Sequence, residues 1–467
     1  MKFDQALKIY NRALKMQEDY YSPEHIELVD TLTNISHTLY SQKKVNESLL
    51  FCHRILTIQQ NNFSSDHINI SYTFNDMGNL MIKKKEFNQA IEFHQQALTI
   101  QKKCFPLGHS SIITTRQYIG NIFKNQCQYD QALEYYKQAL DINEKCHSFN
   151  HVQLASNFIW IGSVLSAQEK FSEALDFQNR ALVIREKNYS SDHVIIARTL
   201  THIARTLSDQ KIHHQALESY QRAISIYEKC YPSDHTDIIS NLNNISNILY
   251  RLDKYDEALT YHQQVLAIQE KHLPYPYTTV VNVLMDIGRI KFNQSKFDEA
   301  LDDFSRAVAL LQEYDPLNHS ELVIGLEWIA SVWNQKRYFH RGIEYLQQCL
   351  RIQEASLSPE HLSIVTTLSN LAQVYRTQDE YQLSLIYEMK YYSIIEKIFS
   401  PDHKDIINSL SNIAQCYKHL NEFRIALKYY QQILTIYEQS KSVSNFEIFT
   451  VMDKIDQLLT QINEESV

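Results

Sequence analysis

Polar side chains able to bind a peptide backbone recur along the sequence at intervals of 42 residues, for example from Asn79 to Asn121. The series contains no acidic and no apolar residue and reads His37, Asn79, Asn121, Ser163, Arg205, Asn247, Arg289, Ser331, Gln373 and Gln415. Asn and Gln carry both hydrogen-bond donors and acceptors. A row of them on equivalent elements can therefore pair with an extended peptide whatever its side chains are.

A second polar series stands four residues before the first and includes Asn75, Gln117, Thr201 and Asn243. Arginines are frequent in the middle of the chain, at Arg198, Arg205, Arg251 and Arg289. A guanidinium binds a carboxylate or a phosphate through two hydrogen bonds. These arginines therefore predict an acidic or phosphorylated peptide as the ligand, with most weight on Asn243, Asn247, Arg205 and Arg289. The alternative is that a groove in water simply has to be polar, and Arg198 and Arg251 fit a solvated helix end equally well.

Histidines repeat at the same 42-residue interval, at His25, His67, His109, His151, His193, His235, His319, His361 and His403. Equivalent residues of successive helical repeats lie roughly 10 Å apart, given helix packing distances of 8–10 Å. Zinc requires its nitrogen ligands within about 2.1 Å of one ion. The pattern therefore predicts no metal site. Each His is expected to satisfy backbone groups at the start of a helix, behind an acidic N-cap such as Asp66, Asp192, Asp234 or Asp402.

The seven cysteines include no C-x-x-C pair and leave one over, which is unlike a disulfide framework. Cys104, Cys146 and Cys230 occupy one repeat position and are expected to be packed in the core. A reducing, cytoplasmic location follows from this cysteine usage.

Helices joined by short connections must position these residues. A small residue recurs at Ser36, Gly78, Gly120, Gly162, Ala204, Ser246, Gly288, Ala330, Ala372 and Ala414. An aromatic-x-x-Ala step follows nine residues later, as in Phe87 to Ala90. All eight prolines, Pro23, Pro106, Pro232, Pro274, Pro276, Pro316, Pro359 and Pro401, fall just before the repeated His or its replacement Tyr277, where a helix interior would not tolerate them. Each unit is predicted to be a helix A, a tight turn and a helix B. In the second helix pair, for example, helix A runs from Ile70 to Lys83 and helix B from Phe87 to Lys103.

The predicted organisation has three parts: an unpaired helix B and loop over residues 1–28, ten helix pairs over 29–440, and a capping helix over 441–467. The first helix, about Phe3 to Tyr20, lacks a partner, so either a segment precedes it or it is itself a cap. The last helix, about Phe446 to Ile462, should have a polar outer face with Asp456 at the small-residue position. Its predicted apolar face is Ile448, Val451, Met452, Ile455, Leu458, Leu459 and Ile462.

This pattern resembles tetratricopeptide repeats of the kinesin light chain type over nearly the whole chain. Asn243-Asn244-Ile245-Ser246, Tyr255-Asp256-Glu257-Ala258-Leu259 and Ser233-Asp234-His235-Thr236-Asp237 are similar to that family's Asn-Asn-Leu-Ala, Tyr-x-Glu-Ala and Asp-His-Pro-Asp signatures. The resemblance implies an all-α, right-handed α-α superhelical solenoid whose A helices line a concave groove, with both polar series facing a ligand. Two departures are the lack of a heptad coiled coil ahead of the repeats and of the family's Pro after the loop His.

The composition narrows the partners. With 45 Lys and Arg against 54 Asp and Glu, the net charge of −9 disfavours nucleic acid. No stretch approaches the roughly 18 consecutive apolar residues of a membrane span. Enzyme signatures such as a Gly-rich phosphate loop, G-x-S-x-G or H-E-x-x-H are missing, so no catalytic residue and no cofactor are predicted.

The sequence therefore predicts a non-catalytic scaffold or adaptor that binds protein or peptide ligands, with an extended and acidic segment in its groove. The predicted binding residues are Asn75, Asn79, Asn121, Arg198, Arg205, Asn243, Asn247, Arg289, Gln373 and Gln415. The alternative function is the recognition arm of a larger enzyme or signalling protein, for example a transferase, whose catalytic domain lies upstream or on another chain. A purely structural spacer would bind no ligand.

Overall fold

The computed structural model describes residues 2–106, 109–145, 151–271, 277–439 and 445–464. These residues form 22 α-helices and no strand, which confirms the predicted all-α class. A single helix, α1, is followed by ten A/B pairs from α2/α3 to α20/α21, and α22 comes last. Pro274, Pro276 and Cys146 lie outside the described residues.

The helices divide into two compact units, Met1–Asn244 and Ile245–Val467, and α12 (Thr236–Arg251) crosses the boundary. The helices before α12 are α1 (Lys2–Glu18), α2 (Leu28–Ser41), α3 (Val45–Asn62), α4 (Ile68–Lys84), α5 (Phe87–Cys104), α6 (Ser110–Asn125), α7 (Tyr129–Lys145), α8 (His151–Ala167), α9 (Phe171–Asn188), α10 (Val194–Asp209) and α11 (His213–Cys230). The helices after it are α13 (Tyr255–Glu270), α14 (Tyr277–Asn293), α15 (Phe297–Tyr314), α16 (His319–Gln335), α17 (Phe339–Ser356), α18 (Leu362–Thr377), α19 (Tyr381–Ile398), α20 (Lys404–His419), α21 (Phe423–Gln439) and α22 (Asn445–Glu464).

The small residue of each A helix lies where that helix crosses its B helix. A Cβ built on Gly78 would stand 2.6 Å from the His94 ring, and one on Gly288 would stand 2.6 Å from the Phe304 ring. The alanines of the aromatic-x-x-Ala steps, such as Ala90 and Ala300, are fully buried. The predicted close crossing is therefore confirmed, and it places the same face of every A helix in an equivalent position.

The turns between A and B helices contain a feature that sequence reasoning missed. Each of the ten turns holds one residue with a positive φ of 57–66°, and none of the ten is glycine; they are Lys43, Lys85, Cys127, Glu169, Lys211, Asp253, Ser295, Arg337, Asp379 and Asn421. The next N–H donates to the carbonyl five residues earlier, as from Glu86 to Met81 at 3.0 Å. This is the Schellman helix end, for which glycine is the usual residue.

The repeated histidines cap the A helices themselves. The Nδ1 atom of His193 accepts a hydrogen bond from the N–H of Ile195 at 3.2 Å. The same contact occurs at His25, His67, His109, His235, His361 and His403. The expectation that these histidines satisfy helix-start backbone groups is confirmed for these seven. The expected N-cap role of the preceding aspartates is wrong, because His67, His193 and His403 are the N-caps at their helices.

The loop acids and cysteines have other contacts. Asp66 accepts a charged hydrogen bond from Lys103, and Asp192 accepts one from Lys229, at 3.0 and 2.9 Å. The neighbouring thiols of Cys104 and Cys230 donate to the backbone carbonyls of the same two aspartates. Both cysteines are exposed, so the expectation of core packing is wrong for them. They lie at the end of helix B, where the chain turns into the loop.

Helix α22 buries less of its apolar face than the sequence predicts. Val451, Ile455 and Leu458 are buried, whereas Met452 and Leu459 are 48% and 42% exposed. The exposed face is mixed, because Thr450, Asp453, Asp456 and Gln457 are exposed as the expected polar outer face requires, but Phe446 and Phe449 are exposed as well. The helix packs with one edge rather than with the full predicted stripe.

Within the described residues, no helix is both long enough and apolar enough to cross a membrane. The same part of the chain holds no group of three or more His, Cys, Asp or Glu side chains able to bind a metal ion.

Candidate functional site

The later polar position, one residue after the small residue, is accessible on nine of the ten A helices. His37, Arg205, Asn247, Arg289 and Gln373 are exposed, whereas Asn79, Asn121, Ser331 and Gln415 are half-buried. Ser163 is the exception and is buried. Because the A helices repeat one geometry, these side chains form a polar face within each unit, here called the A-helix face.

The earlier polar position has a structural role that the sequence did not reveal. Asn75 donates through Nδ2 to the hydroxyl of Thr115 on the next A helix at 2.9 Å, and its Oδ1 accepts from His94 Nδ1 at 2.8 Å. Gln117 donates to Asn157, and Thr201 donates to Asn241, in the equivalent way. These residues therefore join consecutive repeats.

The same inter-repeat contact occurs in the second unit with a carboxyl group. Thr367 donates to Glu327 Oε1 at 2.8 Å, and burial raises the pKa of Glu327. Asn243 stands at this position too, and its Oδ1 is buried without a hydrogen-bond partner among the described residues.

Two further predicted residues have internal partners. Asn121 accepts a hydrogen bond from the Tyr136 hydroxyl at 2.7 Å, which fixes its carbonyl and leaves its amide donors for a ligand. Arg198 lies with Nε 3.6 Å from Asp237 Oδ2 and is more than half exposed. An exposed pair of this kind is worth little in stability, so Arg198 can exchange its partner.

A basic cluster lies on the A-helix face of the first unit. It consists of Lys124 on α6, Ser163 on α8, and His202 and Arg205 on α10, and is called the basic segment below. The Lys124 ammonium donates to the Ser163 hydroxyl, which explains the burial of Ser163. Among the described residues, no carboxylate lies within ion-pair distance of Lys124 or Arg205.

The charges of the basic segment act on one another. Burial and, second, the positive charge of Arg205 lower the pKa of Lys124 to about 8. Burial lowers the pKa of His202 to about 4, and the charges of Arg205, Lys124 and Arg185 contribute to this shift. His202 is therefore neutral at pH 7, and the segment carries two positive charges without an internal counterion.

The second unit presents an arginine in a different setting, called the braced segment and formed by Tyr250, Asp286, Arg289 and Trp328. Arg289 lies 3.3 Å from Asp286 Oδ1, and its guanidinium carbon stands 5.9 Å from the Tyr250 ring centroid and 5.8 Å from that of Trp328. Burial raises the pKa of Asp286, although Arg289 opposes this shift. The two rings and the carboxylate hold the guanidinium in place.

A cavity of about 310 Å³ opens beside the braced segment and is lined by Asn247, Tyr250, Arg251, His262, Asp286 and Arg289. His262 is 1% exposed, and its Nδ1 has no hydrogen-bond partner among the described residues. Burial lowers the pKa of His262 to about 4, so its ring is neutral. The cavity is thus lined by the ion pair of Arg289 with Asp286, by Arg251, by the Asn247 amide and by a neutral imidazole.

A second cavity on this face, of about 270 Å³, is lined by Ser331, Asn334, Asn370, Gln373 and Thr377 together with apolar residues. It has no charged lining residue and offers amide and hydroxyl groups instead. A third cavity, of about 400 Å³, lies where the loop before α16 meets α17 and α18, and includes Leu317, Ile324 and Glu327. The predicted residues Asn247, Arg289 and Gln373 thus lie at cavities.

Sequence reasoning missed Lys124, His202, Tyr250 and His262. The signal for His202 is present in the sequence, because the position two before the small residue reads Asn34, Asp76, Tyr118, Trp160, His202, Asn244, Asp286, Trp328, Asn370 and Asn412, without one aliphatic residue. His202 and Asp286 are equivalent there, and so are Arg205 and Arg289 one residue after the small residue. No comparable signal marks His262, which lies on a B helix.

Comparison with known proteins supports this geometry. The model of the tetratricopeptide repeat family matches residues 29–103, 111–187, 153–229, 195–271, 328–397 and 390–439. No curated protein matches the sequence. Kinesin light chain-like repeats are among the similar structures: a putative kinesin light chain with nearly identical TPR-like repeats from Podosopora anserina shares 17% identity over 45% of this chain and 99% of its own, with a TM-score of 0.39.

Two other solved structures are similar over more of the chain. A signal transduction ATPase with numerous domains and a tetratricopeptide repeat sensor, from Pyrococcus horikoshii, shares 12% identity and has a TM-score of 0.55; the match covers 82% of this chain and 54% of that one. The apo form of the quorum sensor NprR from B. thuringiensis shares 13% identity over 78% of this chain and 97% of its own, with a TM-score of 0.47. At these identities the likeness concerns the fold.

The family matches cover well over half of the residues, and they fall on helix pairs that cross at a small residue. Both observations agree with the resemblance predicted from the sequence, which is confirmed. The chain belongs to the tetratricopeptide repeat family, whose members are protein-interaction scaffolds.

Proposed function

We propose that this protein is an interaction scaffold that binds an extended, acidic peptide segment along its A-helix face. The observation that carries the proposal is the later polar position, which is accessible in nine of ten repeats and never acidic. Arg205 and Arg289 give this position positive charge and no carboxylate stands there, so it attracts a negatively charged chain, although the whole protein carries a charge of −9.

The repeat spacing suits an extended peptide. An extended chain rises about 3.3 Å per residue, and successive A helices lie roughly 10 Å apart by the usual packing distances. About three peptide residues therefore pass each repeat, so every repeat meets a peptide amide. The amides of Asn79, Asn121, Asn247, Gln373 and Gln415 supply donors and acceptors for this backbone.

Acidic side chains of the ligand would be bound by Arg205 and Arg289. Both are exposed, and Arg289 is already oriented by its two rings, so little side-chain entropy is lost on binding. We assign Asn75 a positioning role between repeats, since its side chain is bonded to Thr115 and His94. Asn243, whose Oδ1 has no hydrogen-bond partner among the described residues, stays a proposed binding residue. Arg198 would contribute after leaving Asp237.

A screen of an unbiased peptide array tests the proposal. The wild type is compared with Arg205→Ala/Asn243→Ala/Asn247→Ala/Arg289→Ala and with a matched control on exposed B-helix positions, Lys137→Ala/Asn179→Ala/Gln263→Ala/Lys428→Ala. Circular dichroism verifies that both variants stay folded. Ligands enriched in Asp and Glu should be lost in the first variant and kept in the control. Ligands retained by the first variant would move the binding site to the loops or B helices and refute the proposal.

A second candidate is the recognition arm of a larger signalling protein. The match to the Pyrococcus horikoshii protein favours it, because that protein is described as an ATPase with a tetratricopeptide repeat sensor and this chain covers 54% of it. Sequencing the full-length transcript tests this candidate. A catalytic domain encoded in frame with these repeats would support it and would replace the free-standing scaffold.

A further inference from the structure

The basic segment contains two positive charges, on Lys124 and Arg205, that no carboxylate of the described residues neutralises. Lys124 on α6 donates to Ser163 on α8, and Arg205 stands at the repeat position of Ser163 on the next A helix, α10. Neither cation has a carboxylate within ion-pair distance among the described residues. Lys124 is also half-buried, where an unpaired charge is unfavourable. A structural role for Lys124 would be served better by a neutral residue, so the arrangement points to an anion that comes from outside.

The anion has to match two positive charges. A carboxylate carries one negative charge and would leave one of the two cations without a counterion. A phosphoryl monoester carries about −1.5 to −2 charges at pH 7 and three acceptor oxygens. Lys124 and Arg205 offer donors of the types that bind such oxygens, whereas Ser163 is buried and orients the Lys124 ammonium.

We propose that Lys124, oriented by Ser163, and Arg205 form a site for a phosphoryl group carried by a Ser, Thr or Tyr side chain of the bound segment. This inference rests on the proposed function, because it takes the phosphoryl group to be part of a peptide lying on the A-helix face. Binding would then depend on phosphorylation of the partner, with the basic segment as the sensor.

The equivalent place in the second unit shows why the site belongs to the first. Arg289 occupies the repeat position of Arg205, but Asp286 stands where the first unit has His202. Asp286 lies 3.3 Å from Arg289 and neutralises it, whereas neutral His202 leaves Arg205 uncompensated. A dianion would be repelled by Asp286 but not by His202.

The pH dependence of binding follows from Lys124. Its pKa is lowered to about 8, so the ammonium loses its proton in the free protein as pH rises past 8. A bound dianion favours the charged form and raises this pKa. Phosphoryl binding should therefore be strongest near pH 7 and weaken steeply between pH 8 and 9, well before an ordinary lysine would lose its charge.

The first arm of the test uses inorganic phosphate as the probe, followed by ³¹P NMR at pH 7 and constant ionic strength. The wild type should bind phosphate, and Lys124→Met and His202→Asp should each bind it about tenfold more weakly, because the first loses a favourable charge contact and the second gains a repulsive carboxylate. Lys418→Met is the control, because Lys418 has the same repeat position as Lys124 in the tenth pair. The absence of phosphate binding, or equal binding by Lys124→Met, would overturn the site.

The second arm distinguishes the source of the phosphoryl group. Array peptides are synthesised in sets with Ser, phosphoserine or Glu at one position. Phosphoserine peptides should bind the wild type about tenfold more tightly than their Glu counterparts, and this preference should vanish in Lys124→Met. Peptide binding without a phosphoserine preference would overturn the site but leave the proposed function intact. Phosphate binding with no peptide binding would overturn the peptide as the source, and the proposed function with it.

Discussion

The basic segment and the braced segment use one arginine each at the same repeat position and differ in what surrounds it. Arg289 has a carboxylate at 3.3 Å and two aromatic rings, whereas Arg205 has a neutral histidine and a lysine charge nearby. Asp286 already compensates Arg289, so this pair stabilises the fold and keeps less attraction for a dianion, while its fixed guanidinium still suits a carboxylate. Arg205 has no carboxylate partner among the described residues, so its full charge is available to the ligand. The substitution of His202 by Asp286 accounts for the internal counterion, and Ser208 stands at the repeat position of Lys124 relative to Arg289.

Moving that substitution between the units should have the largest effect. Asp286→His removes the internal counterion of Arg289, so the second unit should gain phosphate binding by about tenfold, the factor that corresponds to roughly 1.4 kcal/mol. ³¹P NMR on a Lys124→Met background would detect this gain without interference from the first unit. Unchanged binding there would mean that the histidine is not what separates the two segments.

Removing the cations should change stability in opposite directions. Lys124→Met relieves an unpaired, half-buried charge and should raise the free energy of unfolding at pH 7 by about 1 kcal/mol. Arg289→Met removes an ion pair and two ring contacts and should lower it by about 1 kcal/mol. Urea unfolding followed by circular dichroism measures both changes. Changes of the same sign would contradict the proposed difference between the unpaired Lys124 and the paired Arg289.

The benefit of Lys124→Met should also depend on pH. The pKa of Lys124 is about 8 in the folded protein against an ordinary value of 10.5, so the unfolded chain binds the proton more tightly. Wild-type stability therefore rises between pH 8 and 10 through this group. The advantage of the Met variant should be full at pH 7 and shrink towards pH 10, as seen in the urea midpoints. An advantage that stays constant with pH would show that the lowered pKa does not operate.

The helix caps should not distinguish the two units. His193 in the first and His361 in the second each accept a backbone hydrogen bond at 3.2 Å. Replacing either by Ala should cost about 1 kcal/mol in unfolding free energy, and Asn should restore most of it, since Asn is a good N-cap. Thermal unfolding of the Ala and Asn variants at each position would reveal any difference between the units.

The smallest effect is expected in the A-to-B turns. Lys211→Gly and Arg337→Gly each remove a side chain from a residue with positive φ, at 66° and 61°. Glycine relieves the strain of the left-handed conformation but adds conformational entropy to the unfolded chain. The first effect is the larger, so both variants should raise the free energy of unfolding by about 0.5 kcal/mol. Lys102→Gly, inside helix α5, is the control and should lower the urea midpoint. A loss in either turn variant would show that the lysine or arginine side chain has a role there.

Much of the fold could be predicted from local patterns. The small residues, the aromatic-x-x-Ala steps and the loop prolines placed each helix pair, and α4 and α5 extend only one or two residues beyond their predicted ends. The tight turns were predicted, but their left-handed residues were not, because nothing in the sequence marks Lys43 or Glu169 as left-handed; the packing of the two helices on either side imposes the conformation.

The N-caps show how one local side-chain contact overrides a residue preference. Propensity favours an aspartate as the N-cap, which is why Asp66 was the expected residue. The ring of His67 stacks on the preceding aromatic, Phe63, with their centroids 3.8 Å apart. This stacking orients the imidazole towards the helix start, so the histidine takes the role of the cap.

The candidate site could be predicted only in part. The sequence by itself determined the repeat, the helix faces and the polar character of the later position at Asn247, Arg289 and Gln373, because helical periodicity alone sets which side a residue takes. Only the tertiary structure decided that Asn75 is bonded between repeats, that His262 lines a cavity and that Lys124 is bonded to Ser163. These contacts join residues of different helices and repeats, and their distances are set by how successive repeats pack, which no local pattern encodes.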